Sequence, residues 1–187
     1  MILPANSEAL EKAAAVLNGG GVAVIPTDTV YGLAAHPDFP AAVARLYTIK
    51  LREAKKPIAL LAADAESAIR FIGEKAAALG GHYWPGALTV VAEGEGVRVP
   101  DHDWTRELLR RCGGVLRVTS ANMSGRKAAI DASSALQEVG LSADLVIDDG
   151  ISSGGVASTV VKVEGDEITT LRSGPIIIEN HKELLTK

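Results

Sequence analysis

The sequence has a single cysteine, Cys112, in 187 residues. An internal disulfide is excluded and a reducing compartment is expected. The four histidines, His36, His82, His102 and His181, stand far apart, and no pair has the spacing of zinc ligands. Aromatic residues make up only 4% of the chain, which weighs against a binder that stacks single-stranded bases on rings. No apolar run approaches the length of a membrane span. The N-terminal stretch has no basic head and is interrupted by Pro4, Asn6 and Glu8, so it does not read as a signal peptide. The formal net charge is −4, which gives no global attraction to nucleic acid or anionic lipid. A Walker loop, a dinucleotide glycine fingerprint, a protein-kinase set and a nucleophile elbow are all missing. These absences leave a soluble cytoplasmic enzyme or binding domain, with no membrane contact and no covalent nucleophile.

What is present is aliphatic. Apolar residues reach 47%, mostly Ala, Val, Leu and Ile, which suits inner strands packed under helices. Helical and strand patterns alternate along the chain. Ser7 is a candidate cap for a helix over EALEKAAAVL, ended by Gly19 to Gly21. Val22 to Ile25 reads as a buried strand. Pro40 stands at a first helical position, followed by Val43, Leu46 and Tyr47 at helical spacing. Ile58 to Ala62 reads as a strand, and Asp64 caps a helix, with a second short one running to His82. Leu88 to Ala92 and Val97 to Val99 are strands. Asp103 is a candidate cap for WTRELLRRC. A strand over Val115 to Val118, a helix over Ala132 to Val139 and strands over Leu145 to Ile147, Thr159 to Val163 and Ile168 to Leu171 follow. A short helix near Glu179 to Leu185 closes the chain. The loop ISSGGVAS, residues 151–158, is the most flexible by composition. The pattern predicts one α/β domain over 1–187, with a twisted, mixed, open sheet flanked by helices.

Polar clusters recur where these strands end. Thr27, Asp28, Thr29 and Tyr31 follow the first strand, and Thr119, Ser120, Asn122 and Ser124 follow Val115 to Val118. Asp148 and Asp149, Ser158 and Thr159, and Arg172 and Ser173 mark the others. Each alone reads best as a turn. Several at successive strand ends suggest one binding mouth, since open α/β sheets bind ligands outside strand ends. Lys50, Arg52, Lys55 and Lys56 form the densest basic run. It is either a solvated surface loop or a phosphate clamp. Arg98 and Arg172 sit in or just after short apolar strands, where an arginine suits bidentate binding of carboxylate or phosphate. The residues describe an anion-binding α/β enzyme that positions charged substrates.

The ordered run PTDTVYGL, Lys-x-Arg, KPIALL, WPGALTVV, VRVP, TSANMSG, DDG, STVV and LRSG resembles the YrdC/TsaC family of threonylcarbamoyl-AMP synthases over about residues 8–178. The resemblance implies joining L-threonine, bicarbonate and ATP, with Mg²⁺, into threonylcarbamoyl adenylate and pyrophosphate. Partner proteins would then transfer the threonylcarbamoyl group to tRNA, and direct contact with tRNA or double-stranded RNA stays open. By position, Thr27, Tyr31, Arg98 and Ser158 would serve threonine. Thr119, Ser120, Asn122 and Arg172 would serve the nucleotide. Lys50 and Arg52 would be the catalytic, phosphate-facing pair. Two positions depart from the family pattern: Glu53 stands where proline is usual, and Leu61 where a polar residue is common. The chain ends soon after LRSG, so the extra C-terminal domain of longer relatives is not expected. Three rivals remain: an RNA-binding or ribosome-maturation module of the same fold, a hydrogenase-maturation carbamoyltransferase, which would bring zinc motifs and further domains, and a nucleotide-binding regulator.

Overall fold

The structure, a computed structural model, describes residues 1–178. The helix expected near residues 179–185 lies outside them. The first half of the chain runs β1 (Ile2–Pro4), α1 (Ser7–Asn18), β2 (Val22–Ile25), β3 (Gly32–Ala35), α2 (Pro40–Lys50), β4 (Leu60–Ala62) and α3 (Ala65–Gly81). It continues with β5 (Leu88–Ala92), β6 (Glu95–Arg98), α4 (Asp103–Arg111), β7 (Val115–Ser120) and α5 (Ala132–Glu138). After a 3-10 turn come β8 (Leu145–Asp148), β9 (Thr159–Glu164) and β10 (Glu167–Arg172). The α/β expectation holds throughout this stretch. The short strands β1 and β3 carry no signal of their own in the sequence. β1 exists because it pairs in parallel with β8, and β3 because it bridges β2 and β7.

Helix starts are set by side-chain caps. Asn6, rather than Ser7, caps α1: its backbone is extended and its side chain accepts from the Ala9 N–H at 2.9 Å. Asp64 caps α3 as expected, accepting from the Ser67 N–H. Inside that helix Gly73 leaves helical geometry (φ 73°), which divides it into the two expected pieces. At α4 the cap is His102, whose ring nitrogen accepts from the Thr105 N–H. Asp103 is instead the first helical residue and pairs with Arg106 one turn on.

All ten strands join one mixed sheet in the order β1-β8-β2-β3-β7-β4-β6-β5-β9-β10. The side-chain period of two assigns each residue a face. On one face, Ala23, Ile25, Ala34, Leu116 and Ile147 pack with α1 and α4 residues such as Leu10, Leu17, Leu108 and Leu109. On the other, Val22, Val24, Leu33 and Val146 meet Leu46 of α2 and Ala135 of α5. Further along that second face, Leu60, Leu88, Val90, Val97 and Val161 pack against α3 through Ile72, Ala76 and Leu79. Helix α4 covers part of β4 on the side turned away from α3, and among the described residues no helix packs over that side of β5, β6 and β9. Alternation places Leu61, Thr89, Val91, Arg98, Ser158 and Val160 on that side. No helix among the described residues is long and apolar enough to cross a membrane.

Candidate active site

The uncovered half of the sheet forms the floor of an open cavity of about 370 Å³. Its walls are the 27–32 turn, the 52–59 loop, the end of β7 and the 157–158 and 171–172 segments. Eight of the ten residues expected at the site line it: Thr27, Tyr31, Arg52 and Arg98 together with Thr119, Ser120, Ser158 and Arg172. β3 and β7 approach closely beneath it. A side chain on Gly32 would place its Cβ 2.5 Å from Val118 Cγ1, so the glycine of the YGL motif is a contact requirement.

Three arginines set the charge of the cavity. Arg98, only 6% exposed, is held by protein through each of its three nitrogens. It pairs with Asp28, donates Nη1 to Thr29 Oγ1 at 2.8 Å and donates Nε to the Gly86 carbonyl at 3.0 Å. Burial pulls its pKa down, and the Asp28 carboxylate opposes that shift. Arg172 lies across the cavity and donates Nε and Nη2 to the Ser158 carbonyl at 3.0 and 2.8 Å. Arg52 donates Nε to Lys56 O and Nη2 to Pro57 O, each at 3.0 Å. Neither Arg52 nor Arg172 has a carboxylate partner among the described residues. Burial, and next the nearby Arg52 charge, lower the Arg172 pKa. Two cations held close by neutral oxygens make a site that is completed by an anion.

Lys50 corrects an expectation. It does not lie in a surface loop, because it is the last residue of α2 and only 2% exposed. Its ammonium donates to the main-chain carbonyls of Ser120 and Asn122 and lies 3.4 Å from Asn122 Oδ1. The Ser124 N–H returns a bond to the Lys50 carbonyl at 2.9 Å. Lys50 and Asn122 therefore lie outside the cavity lining and tie down the TSANMSG loop. The left-handed Leu51 that ends α2 turns the chain, so that Arg52 lines the cavity while Lys50 stays buried away from it.

Burial, then the Arg52 charge, bring the Lys50 pKa down to about 8 from 10.5, while the three oxygen acceptors favour the charged form. The unfolded chain binds more protons between those two values, so this group makes the fold more stable as pH rises through that window. The stability of the wild type relative to Lys50→Met should grow by up to about 3 kcal/mol between roughly pH 7.5 and 10.5. Urea unfolding of both proteins measures it. A difference that stays flat with pH would mean the three oxygens fully offset the burial.

The PTDT turn is internally bonded. Thr27 Oγ1 donates to the Val30 carbonyl at 2.7 Å, accepts from the Thr29 N–H at 3.2 Å and meets Thr29 Oγ1 at 3.1 Å. The fully buried Tyr31 donates its hydroxyl to the Gly150 carbonyl at 2.8 Å and accepts from the Asp149 N–H at 2.9 Å. Burial raises its pKa. The DDG loop thus clasps Tyr31 from behind the cavity, and His102 holds Asp149 at 3.0 Å from Nε2. Sequence reading placed Thr29 in the first strand-end cluster without giving it a role, and missed Thr89 as a lining residue. The available signal for Thr89 is its alternation against Leu88 and Val90 in β5. Of the two departures, Leu61 is an apolar part of the lining, and Glu53 is exposed and paired with Lys55 and Lys56 at 2.9 and 2.6 Å.

Among the described residues the lining carries no carboxylate, and no three His, Cys, Asp or Glu side chains gather as metal ligands. This donor set does not fit a resident Mg²⁺, which asks for carboxylate or phosphate oxygens. Any such ion would arrive on the phosphates of a substrate, and no step is derived through it.

Comparison with known proteins adds four findings. The Sua5/YciO/YrdC family profile, described as "Telomere recombination", matches residues 15–174. A Mycobacterium leprae relative is 33% identical over 94% of this chain and 87% of its own length. The Bacillus subtilis threonylcarbamoyl-AMP synthase is 31% identical over 95% of this chain, which spans only 56% of that protein. Among solved structures, Pyrococcus abyssi Sua5 complexed with L-threonine superposes with a TM-score of 0.90 at 26% identity, over all of this chain and 61% of that one.

Proposed function

This chain belongs to the Sua5/YciO/YrdC family, and from that premise we propose that it is a threonylcarbamoyl-AMP synthase. The observation that carries the reading is the cavity itself, where Arg52 and Arg172, without carboxylate partners among the described residues, face a hydroxyl-rich wall. L-threonine, bicarbonate and ATP give threonylcarbamoyl-AMP, pyrophosphate and water. The threonine nitrogen bonds to the carbon of bicarbonate, with loss of water, and forms a carbamate. A carbamate oxygen then bonds to the α-phosphorus as the bond to the β-phosphate oxygen breaks. No enzyme nucleophile is needed. Positioning a short-lived carbamate is the main catalytic task, and stabilising the charge of the departing pyrophosphate is the second.

In this reading Arg52 and Arg172 meet the phosphates, and Thr119 and Ser120 flank the nucleotide. Lys50 and Asn122 act one step back by holding the Ser120–Asn122 loop. Arg98 and Ser158 face threonine, while Thr27 and Tyr31 shape the wall of its pocket. The product would pass to proteins that modify tRNA. The RNA-module alternative is less well supported, because the basic run is divided between a buried Lys50 and lysines paired with Glu53.

Pyrophosphate release from ATP, with each substrate omitted in turn, tests the proposal. Release should require both bicarbonate and an amino acid. Threonine should be best. Serine lacks one methyl, worth roughly 1 kcal/mol, and should be several-fold weaker. Valine lacks the hydroxyl and should be essentially inert, because it would leave buried polar groups unpaired. Release independent of bicarbonate and amino acid would overturn the assignment.

A further inference from the structure

Counting hydroxyl hydrogens separates the groups that frame the cavity from those able to read a ligand. Each hydroxyl has one hydrogen to donate and two lone pairs. The Thr27 hydrogen goes to Val30 O, so Thr29 must be the donor in the contact between their two hydroxyls. Thr29 also accepts from Arg98. The Tyr31 hydrogen goes to Gly150 O. None of these three residues has a hydrogen left for a ligand.

The pair formed by Thr89 on β5 and Ser158 before β9 differs. Their oxygens lie 2.8 Å apart, and Ser158 Oγ accepts from Arg172 Nη2 at 3.2 Å. Both residues are buried, at 6% and 4% exposure, and both line the cavity. One of their two hydrogens makes the mutual bond, whichever residue donates it. The other hydrogen and two lone pairs stay available, so the pair can donate to and accept from one incoming hydroxyl at the same time. Because either hydroxyl can rotate to be the donor, the pair adapts without moving a heavy atom.

We propose that Thr89 is a specificity-determining residue that forms, with Ser158, a hydrogen-bonded hydroxyl pair of reversible direction, reading the side-chain hydroxyl of the amino-acid substrate. The inference rests on the synthase reading above and deepens it. It moves hydroxyl recognition from the PTDT turn, whose hydrogens are committed, to the junction of β5 and β9. Arg172 couples this pair to the phosphate side, since the same guanidinium that holds Ser158 faces the nucleotide.

The test is bicarbonate-dependent pyrophosphate release by Thr89→Val, Thr89→Ser and Ser158→Ala, with L-threonine and L-valine compared and the KM for ATP measured alongside. Thr89→Val should lower kcat/KM for threonine by roughly tenfold, the scale of one neutral hydrogen bond. Thr89→Ser should restore it, and the KM for ATP should stay unchanged in both. The double variant Thr89→Val/Ser158→Ala should lose less than the product of the single losses and should bring the threonine-to-valine preference towards one. If Thr89→Val fails to fold, Thr89→Ala and Ser158→Ala read the same preference. An unchanged threonine-to-valine ratio in the folded variants, or a collapse of that ratio in Thr119→Val instead, would overturn the inference. Wild-type release that needs threonine and bicarbonate would still leave the synthase reading standing, so the two failures are distinguishable.

Discussion

Arg172→Ala and Arg52→Ala should each lower kcat/KM for ATP by about 100- to 1000-fold, the usual cost of removing one preorganised charged donor from a site of developing negative charge. Among the described residues both guanidiniums bond only to neutral oxygens, so their removal strands no buried carboxylate there. Thermal midpoints should therefore stay within about 2 °C of wild type, because a residue at the cavity wall with no packed core role contributes little stability. Arg52→Lys should recover only part of the activity. It keeps the charge and loses the fork that Lys56 O and Pro57 O hold in place. Pyrophosphate release at varied ATP, together with melting curves, measures both quantities. ATP kinetics close to wild type in both alanine variants would remove the phosphate-binding role from this pair.

Arg98 should behave in the opposite way, with a large loss of stability. Arg98→Met leaves the Asp28 carboxylate, 11% exposed, without its cation, and breaking a buried pair from one side costs about 3–5 kcal/mol. For a chain of this size that corresponds to a fall of roughly 10 °C in the thermal midpoint. It also releases the Thr29 hydroxyl and the Gly86 carbonyl, which Arg98 ties to one another. Arg98→Met/Asp28→Leu should regain most of the stability, since the unpaired charge is gone, while threonine-dependent turnover stays lost. Melting curves and threonine kinetics on the single and double variants separate the two contributions. Equal instability of the single and double variants would show that the stranded carboxylate is not the cause.

The two expectations differ because the three arginines, alike in sequence, have different partners. Arg98 ends β6, where alternation turns it inward, and Asp28 comes from a turn 70 residues away. Arg172 ends the edge strand β10 and meets only the carbonyl and hydroxyl of Ser158. Arg52 follows the left-handed residue Leu51 (φ 51°) that ends α2, and the chain reversal there separates it from Lys50.

Much of this was decided locally and could be read from the order of residues. Apolar runs of four or five residues bounded by turn formers are strands wherever they meet a partner, and Pro40, Asp64 and Gly73 act on their own neighbours. The polar clusters at strand ends were legible for the same reason, since a buried strand must surrender its backbone to hydroxyls or carboxylates where it stops. The direction in which each side chain finally points was not legible. Lys50 and Arg52 lie two residues apart in one basic run, yet one ammonium is buried under the 120–122 loop and one guanidinium lines the cavity. Whether Thr27 or Thr89 has a hydrogen to spare depends on Val30 for the first and, for the second, on Ser158, 69 residues distant. Strand pairing and helix coverage bring these groups together, and only the folded sheet, with one half of one face left open, determines which of them a ligand can reach.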